Sequence, residues 1–155
     1  MSKKILIPVD LSNHSITVLK AAQSVKNEGD DLLLLHVVLD PAEFAGFYVP
    51  HQSTEKTREE LMTDARMKMN RFVKRYAPGA SYLVEFGFPY TVILDVADRE
   101  QVGLIVVGKY KGGGLLEHLF MRSTSKMVLR EAKCDVHVVP LSFESEEELL
   151  AGPKF

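Results

Sequence analysis

The chain of 155 residues reads as an α/β protein: an open, doubly wound, five-stranded parallel sheet with helices on both faces, Rossmann-like. Three observations predict this. The apolar runs Ile5-Leu6-Ile7, Leu32 to Leu35 and Leu104 to Val107 are short and continuous, as in strands buried on both faces. Between such runs lie segments whose apolar residues recur every three or four positions, the period of a helix with one buried stripe. Runs and segments alternate as β-α-β-α-β-α-β-α-β, and right-handed crossovers then put helices on both faces.

The first strand is Ile5 to Val9, and Asp10-Leu11-Ser12-Asn13 supplies candidate N-caps for the helix that follows. Val18, Ala21, Ala22 and Val25 form its stripe, and Gly29 is expected to end it. Leu32 to Val38 is the second strand, with His36 inside it as a hydrogen-bonded strand-end histidine. Asp40 to Ser53 is a long connection containing Pro41, Gly46 and Pro50; loops of this length in compact domains are more often functional or mobile than idle. A helix is predicted from Thr54 to Tyr76, burying Leu61, Ala65, Met69, Phe72, Val73 and Tyr76. Pro78-Gly79 stops it, and Tyr82 to Phe86 is a more peripheral third strand. Gly87-Phe88-Pro89 turns into a helix from Tyr90 to Gln101, proline being suited to a first turn. Leu104 to Val107 is the fourth strand, Leu115 to Glu131 the last long helix, burying Leu116, Leu119, Phe120, Met127 and Val128, and Val136 to Pro140 the fifth strand. Residues 142–155, with Glu144, Glu146, Glu147 and Glu148, read as a solvated tail or a short acidic helix.

Composition narrows the function classes. Apolar residues at 46% and charged residues at 26% describe a globular domain with a real core. A formal net charge of −2 gives no general attraction to nucleic acid or anionic membrane. Cys134 alone excludes an internal disulfide framework, and no histidine pair has metal-ligand spacing, so no metal site is predicted. No apolar run approaches the ~20 residues that span a bilayer. Met1-Ser2-Lys3-Lys4 leads into a strand broken by Pro8 and Asp10 and not into a signal peptide, which predicts a cytoplasmic protein. No catalytic residue is assigned: neither G-x-S-x-G nor G-x4-GK-[ST] is present.

The segment with most chemistry is Val106-Val107-Gly108-Lys109-Tyr110-Lys111-Gly112-Gly113-Gly114, followed by a helix containing Arg122-Ser123-Thr124-Ser125. Strand, glycine loop and helix together present backbone N–H groups to an anion. Three adjacent glycines offer flexible donors, three hydroxyls follow, and Lys109, Lys111, Arg122 and Lys126 make the region basic. In five-strand doubly wound sheets ligands bind at the carboxyl ends where the winding reverses. With strand order 3-2-1-4-5, strands 1 and 4 are neighbours, and Asp10 and Gly108 become parts of one site.

These residues resemble the universal stress proteins. The resemblance covers roughly residues 3–141, leaving 142–155 as an acidic tail. It rests on Lys4-Ile5-Leu6-Ile7-Pro8-Val9-Asp10-Leu11-Ser12, His36-Val37, Gly87-x-Pro89, Leu104 to Gly108, and Cys134 to Pro140, in order. It implies ATP, or another adenine nucleotide, possibly with Mg²⁺, as ligand. Members that bind ATP carry G-x2-G-x9-G-[ST] after the fourth strand, and in them an Asp after strand 1 and a Val after strand 2 contact adenine, which matched here would put Asp10 and Val37 at the base, with Pro8 and Val9 also candidate nucleotide-binding residues. Gly108, Lys109 and Gly112 would lie at the ribose and phosphates, with Arg122, Ser123 and Thr124 at the phosphates. It also implies a homodimer in which the fifth strand, Val136 to Val139, runs antiparallel across a two-fold axis.

The chain departs from that pattern at three places. Arg122 replaces the glycine before Ser123, the spacing from Gly108 to Gly112 is one residue longer, and Phe88 stands where an acidic residue is usual. If position 122 required left-handed backbone, arginine there would cost roughly 1–2 kcal/mol. Two readings follow: a regulatory module binding an adenine nucleotide at strands 1 and 4, at most a slow ATPase, or a dimeric interaction protein with a remodelled, empty site.

Overall fold

The computed structural model describes the backbone of residues 2–39, 51–110 and 117–141, and the side chains of 2–39, 58–109 and 124–141. The elements are β1 (Lys4–Pro8), α1 (Asn13–Val25), β2 (Asp31–Val38), α2 (His51–Tyr76), β3 (Ser81–Phe86), α3 (Pro89–Arg99), β4 (Leu104–Tyr110), α4 (Glu117–Glu131) and β5 (Asp135–Leu141). All sheet pairings are parallel and the order is β3-β2-β1-β4-β5, as predicted.

The continuous apolar runs are explained by two cores, one on each face. Ile5, Ile7, Leu34 and Val106 meet Val18, Leu19 and Ala22 of α1 and Met69, Phe72 and Val73 of α2. Leu6, Leu33, Leu35, Ile105 and Val107 point the other way, onto Ile93, Val96 and Ala97 of α3 and Val128 of α4. Successive strand residues face opposite sides, so the middle of each central strand must be apolar at every position. The polar chemistry is left to the strand ends.

Several boundaries differ from the sequence prediction. α1 ends at Val25, before Gly29; Lys26 is extended and Asp30, 4% exposed, ties the turn by accepting the N–H groups of Asn27 and Lys3 at 2.9 Å. Gly29 lies in that turn at φ +87°. α2 begins at His51, inside the predicted connection, whose residues 40–50 lie outside the described ones. Leu61 is 36% exposed and not core, while Ala65, Met69, Phe72 and Val73 are buried as expected. On α4, Val128 is buried and Met127 half-buried; the side chains of Leu119 and Phe120, and Leu116 entirely, lie outside the described residues.

The difference with most consequence is in β4, which continues through Gly108, Lys109 and Tyr110. These pair with Val139, Pro140 and Leu141 of β5, so Gly108 is a strand residue and not the start of a loop. Its lack of a side chain serves packing. A Cβ there would stand 2.5 Å from Leu141 Cδ1 and 3.1 Å from Val18 Cγ2. Leu141 is 2% exposed and has little room to retreat. Gly108→Ala is therefore expected to cost about 1–3 kcal/mol by overpacking, read as a fall in urea midpoint at unchanged slope. Adding Leu141→Ala should give a double mutant more stable than the two single losses sum to; strict additivity would contradict the contact.

Candidate functional site: a cavity at the β1–β4 switch point

The carboxyl ends of β1, β2 and β4 open into a cavity of about 250 Å³. Its walls join Pro8 at the end of β1, Val9 and Asp10 just after it, Val37 on β2, Gly108 on β4 and Thr124 on α4. Six of the residues predicted from sequence thus meet across four segments. Lys109 is exposed and does not line the cavity. Gly112 and the rest of 111–116 lie outside the described residues, as do the side chains of Arg122 and Ser123.

Arg122 lies within α4, on helical backbone. The left-handed conformation considered for that position does not arise, and its 1–2 kcal/mol penalty with it.

Asp10 is held by a short network. Its Oδ1 accepts the Ser12 N–H at 2.9 Å, the Ser12 hydroxyl at 2.5 Å and the Ser15 hydroxyl at 2.7 Å. The Ser15 oxygen in turn accepts the Asp10 N–H at 3.0 Å, and Ser15 is buried. Asp10 is therefore not the cap of α1. Ser12 occupies that position without a side-chain cap bond, and Asp10 makes an Asx-type turn onto it. Leu11, between them, is buried at φ +64°, a conformation costing a non-glycine residue roughly 1–2 kcal/mol. The network and the burial of Leu11 hold that strain, and the carboxylate is fixed at the cavity wall with Oδ2 free of donors among the described residues. Sequence pattern carries no signal for it, since a leucine rarely marks a left-handed turn.

The second anchor is Val9. Its N–H donates to the Leu35 carbonyl at 2.8 Å, and its own carbonyl accepts from His36 Nδ1 at 2.8 Å. A carbonyl only accepts, so the proton sits on Nδ1. His36 is the satisfied strand-end histidine predicted. Burial holds its imidazole below the ordinary histidine value, with the Val9 hydrogen bond and the Asp10 charge opposing and Lys68 on α2 adding to the depression.

The remaining walls come from residues the motif search passed over. Leu35, Val107 and Ile93 supply apolar surface, Pro89 begins α3 above it, and Leu39 stands at the rim, 40% exposed. Gly87 aims α3 there: at φ +147° it donates its N–H to the Val38 carbonyl at 2.9 Å. Gly87-x-Pro89 was the available signal. Ser125 also lines the cavity, but its hydroxyl donates to the Gly108 carbonyl at 2.5 Å and fastens α4 to β4. Ser12, Ser15 and Ser125 all direct their hydroxyl protons to a carboxylate or carbonyl, so none of the three is set up as a nucleophile. An apolar slot with one fixed carboxylate suits a flat heteroaromatic group carrying an N–H donor.

Among the described residues no group of three or more His, Cys, Asp or Glu could hold a metal, and no helix is long and apolar enough to cross a membrane. Cys134 is half-buried, and burial pushes its thiol above the usual value.

His36 ties stability to pH. Its folded-state value lies below its unfolded value of about 6.5, so the unfolded chain takes up the proton more readily. The contribution is complete above about pH 6.5 and is lost as pH falls toward the folded-state value. Thermal melts between pH 7.5 and 5 should show a steeper loss for the wild type than for His36→Asn; parallel curves would contradict this assignment.

The comparisons with known proteins converge. The model of the universal stress protein family matches residues 1–140. A universal stress protein of Methanocaldococcus jannaschii is 30% identical over 141 residues, covering 88% of this chain and 81% of that protein. A second protein of that organism, solved as a structural-genomics test of assigning biochemical function from structure, superposes with TM-score 0.73 at 25% identity, covering 92% and 98% of the two chains. A universal stress protein solved in complex with cAMP shares the fold at TM-score 0.54 and 17% identity, covering 88% of this chain and 96% of that one. With the family model spanning nearly its whole length, and a five-stranded 3-2-1-4-5 sheet beneath the match, this chain belongs to the universal stress protein family.

Proposed function

We propose that this protein is a regulatory module that binds ATP or another adenine nucleotide across the carboxyl ends of β1 and β4. The observation that carries the reading is the cavity itself, where Val9, Asp10, Val37, Gly108 and Thr124 converge at the switch point. The base would enter between Val37, Leu35, Val107 and Ile93, with Asp10 accepting a hydrogen bond from its exocyclic amine. A volume of about 250 Å³ lies below the ~300–1,000 Å³ of sites that enclose a whole drug-sized ligand. It suits a base and part of a ribose, with the phosphates outside, toward Lys109, Gly112, Arg122, Ser123 and Thr124. Mg²⁺, if it accompanies ATP, would be held by phosphate oxygens and water and not by a protein carboxylate cage. A universal stress protein bound to cAMP is a relative whose ligand carries the same base.

One observation favours a second reading. Gly108 is required by Leu141 and Val18 whether or not a ligand binds, so it is no witness to a phosphate. In that reading the protein is a dimeric interaction module with a remodelled site, paired through the outer edge of β5. There Val136 and Val138 are half-buried on a strand whose ladder partner among the described residues is β4 alone.

Calorimetry with ATP, with and without Mg²⁺, separates the two. The nucleotide reading expects micromolar to sub-millimolar binding that Asp10→Ala weakens about tenfold or more, the loss of one hydrogen bond to a charged group. Arg122→Gly should then weaken binding or leave it unchanged. No heat at millimolar ATP for the wild type, with binding created by Arg122→Gly, would contradict the first reading and support the second.

A further inference from the structure

The two helical layers differ in charge. On α1 and on residues 65–76 of α2 stand Lys20, Arg66, Lys68, Arg71, Lys74 and Arg75, and no aspartate or glutamate. The described side chains of α3 and α4 balance, Asp95, Asp98 and Glu131 against Arg99, Lys126 and Arg130. There Arg99 is paired with Glu85 and Asp95, and Arg130 with Glu131. In the first layer Lys68 turns to Asp64 at 2.7 Å, and Arg75 lies 5.4 Å from the centre of the Tyr76 ring. Lys20, Arg66, Arg71 and Lys74 are exposed and make no ion pair among the described residues.

Met67, Arg71 and Lys74 follow one another at helical spacing along one stripe of α2, opposite the buried Ala65, Met69 and Phe72. Met67 is 52% exposed. The helix dipole favours cations in the last turn and so accounts for Lys74 and Arg75. It does not account for Arg71, which precedes them by one turn, where like charges destabilise a helix. One turn past Lys74, an open cleft of about 600 Å³ lies between the ends of α1 and α2, lined by Gln23, Lys26, Pro78 and Gly79. The stripe and the cleft together make an elongated surface. The whole chain carries a net charge of −2, so the remainder of it is acidic. A membrane surface or a nucleic acid extends past the patch by more than a Debye length of ~8 Å and meets that repulsion. A short acidic segment meets the patch alone. Arginine and methionine are also enriched in protein–protein contacts, where a guanidinium holds a carboxylate by two parallel hydrogen bonds.

We propose that the stripe of Met67, Arg71 and Lys74 is a docking surface for a short acidic segment of a partner protein. Carboxylates of the segment sit on Arg71 and Lys74, and an apolar side chain between them sits on Met67. The surface lies across the sheet from α3 and α4, the helices that line the nucleotide cavity. It therefore stands independently of the nucleotide reading.

The test uses the full chain and a short fluorescein-labelled peptide of glutamates with one central leucine, in low salt. Anisotropy should show binding that weakens about fivefold or more in R71Q/K74Q, the loss expected of two exposed ion pairs. Arg130→Gln, on the other layer, should bind as the wild type does. Met67→Ser should weaken binding about threefold with the salt dependence unchanged, an effect that diffuse charge attraction does not produce. No binding at millimolar peptide, or equal binding by the wild type and R71Q/K74Q, would overturn the proposal. So would tighter binding to phosphatidylserine vesicles than to the peptide, which would make the partner a membrane. Self-association of the wild type that R71Q/K74Q abolishes would make the occupant a second copy and overturn it as well.

Discussion

The contact of Gly108 with Leu141 and Val18 is the constraint on which the architecture of the site depends. With no Cβ at 108, the last residue of β5 closes the core against α1 from below. The strand is then free to run on to Tyr110 in register with β5. On the other side of the same residue the carbonyl receives the Ser125 hydroxyl at 2.5 Å and sets the height of α4. One position thus fixes the relation of β4, β5, α1 and α4. The cavity is what remains between that junction and the end of β1. A glycine that looks like a ligand-contacting residue is in the first place a packing residue.

The opposite wall has a different logic. β1 ends in a residue pair held from both directions: Val9 by Leu35 and His36, Asp10 by Ser12 and Ser15. The cost of the left-handed Leu11, roughly 1–2 kcal/mol, is concentrated there, and strain held by its surroundings is characteristic of positions that must present a group in a set direction. The sheet supplies a rigid floor with apolar residues on both faces, and the two anchored ends supply the polar groups. Preorganisation of this kind favours binding without large movement.

Much of the fold was legible because the inner strands β1, β2 and β4 are buried on both faces and therefore announce themselves as unbroken apolar runs. Alternation and crossover handedness point to a doubly wound sheet, and the winding β3-β2-β1-β4-β5, the one the structure has, puts Asp10 and Gly108 at one edge. What the pattern misread was tertiary in origin. Gly108-Lys109-Tyr110 has loop composition, and only pairing with Val139 to Leu141 makes it strand. The end of α1 at Val25 is set by Asp30, a turn device that helical periodicity does not see. Leu61 sits at helical spacing yet remains 36% exposed. At the site, Asp10, Val37 and Thr124 were found from the motif, while Ile93 and Leu35 belong to the cavity through packing alone. The hydroxyls of Ser12, Ser15 and Ser125 are spent on internal bonds, and sequence cannot show which of several hydroxyls is so engaged.

The central claim is that the edge formed by β1, β2 and β4 is where an adenine nucleotide binds. An ¹⁵N-edited titration with AMP and then ATP tests it most directly, since it reports location as well as affinity. The predicted result is a cluster of shifts at Val9, Asp10, Val37, Gly108 and Thr124, with a further shift at Lys109 when the phosphates are added. Shifts confined to the opposite edge, at Lys26, Asp31 and Ala80, or none at millimolar nucleotide, would contradict it.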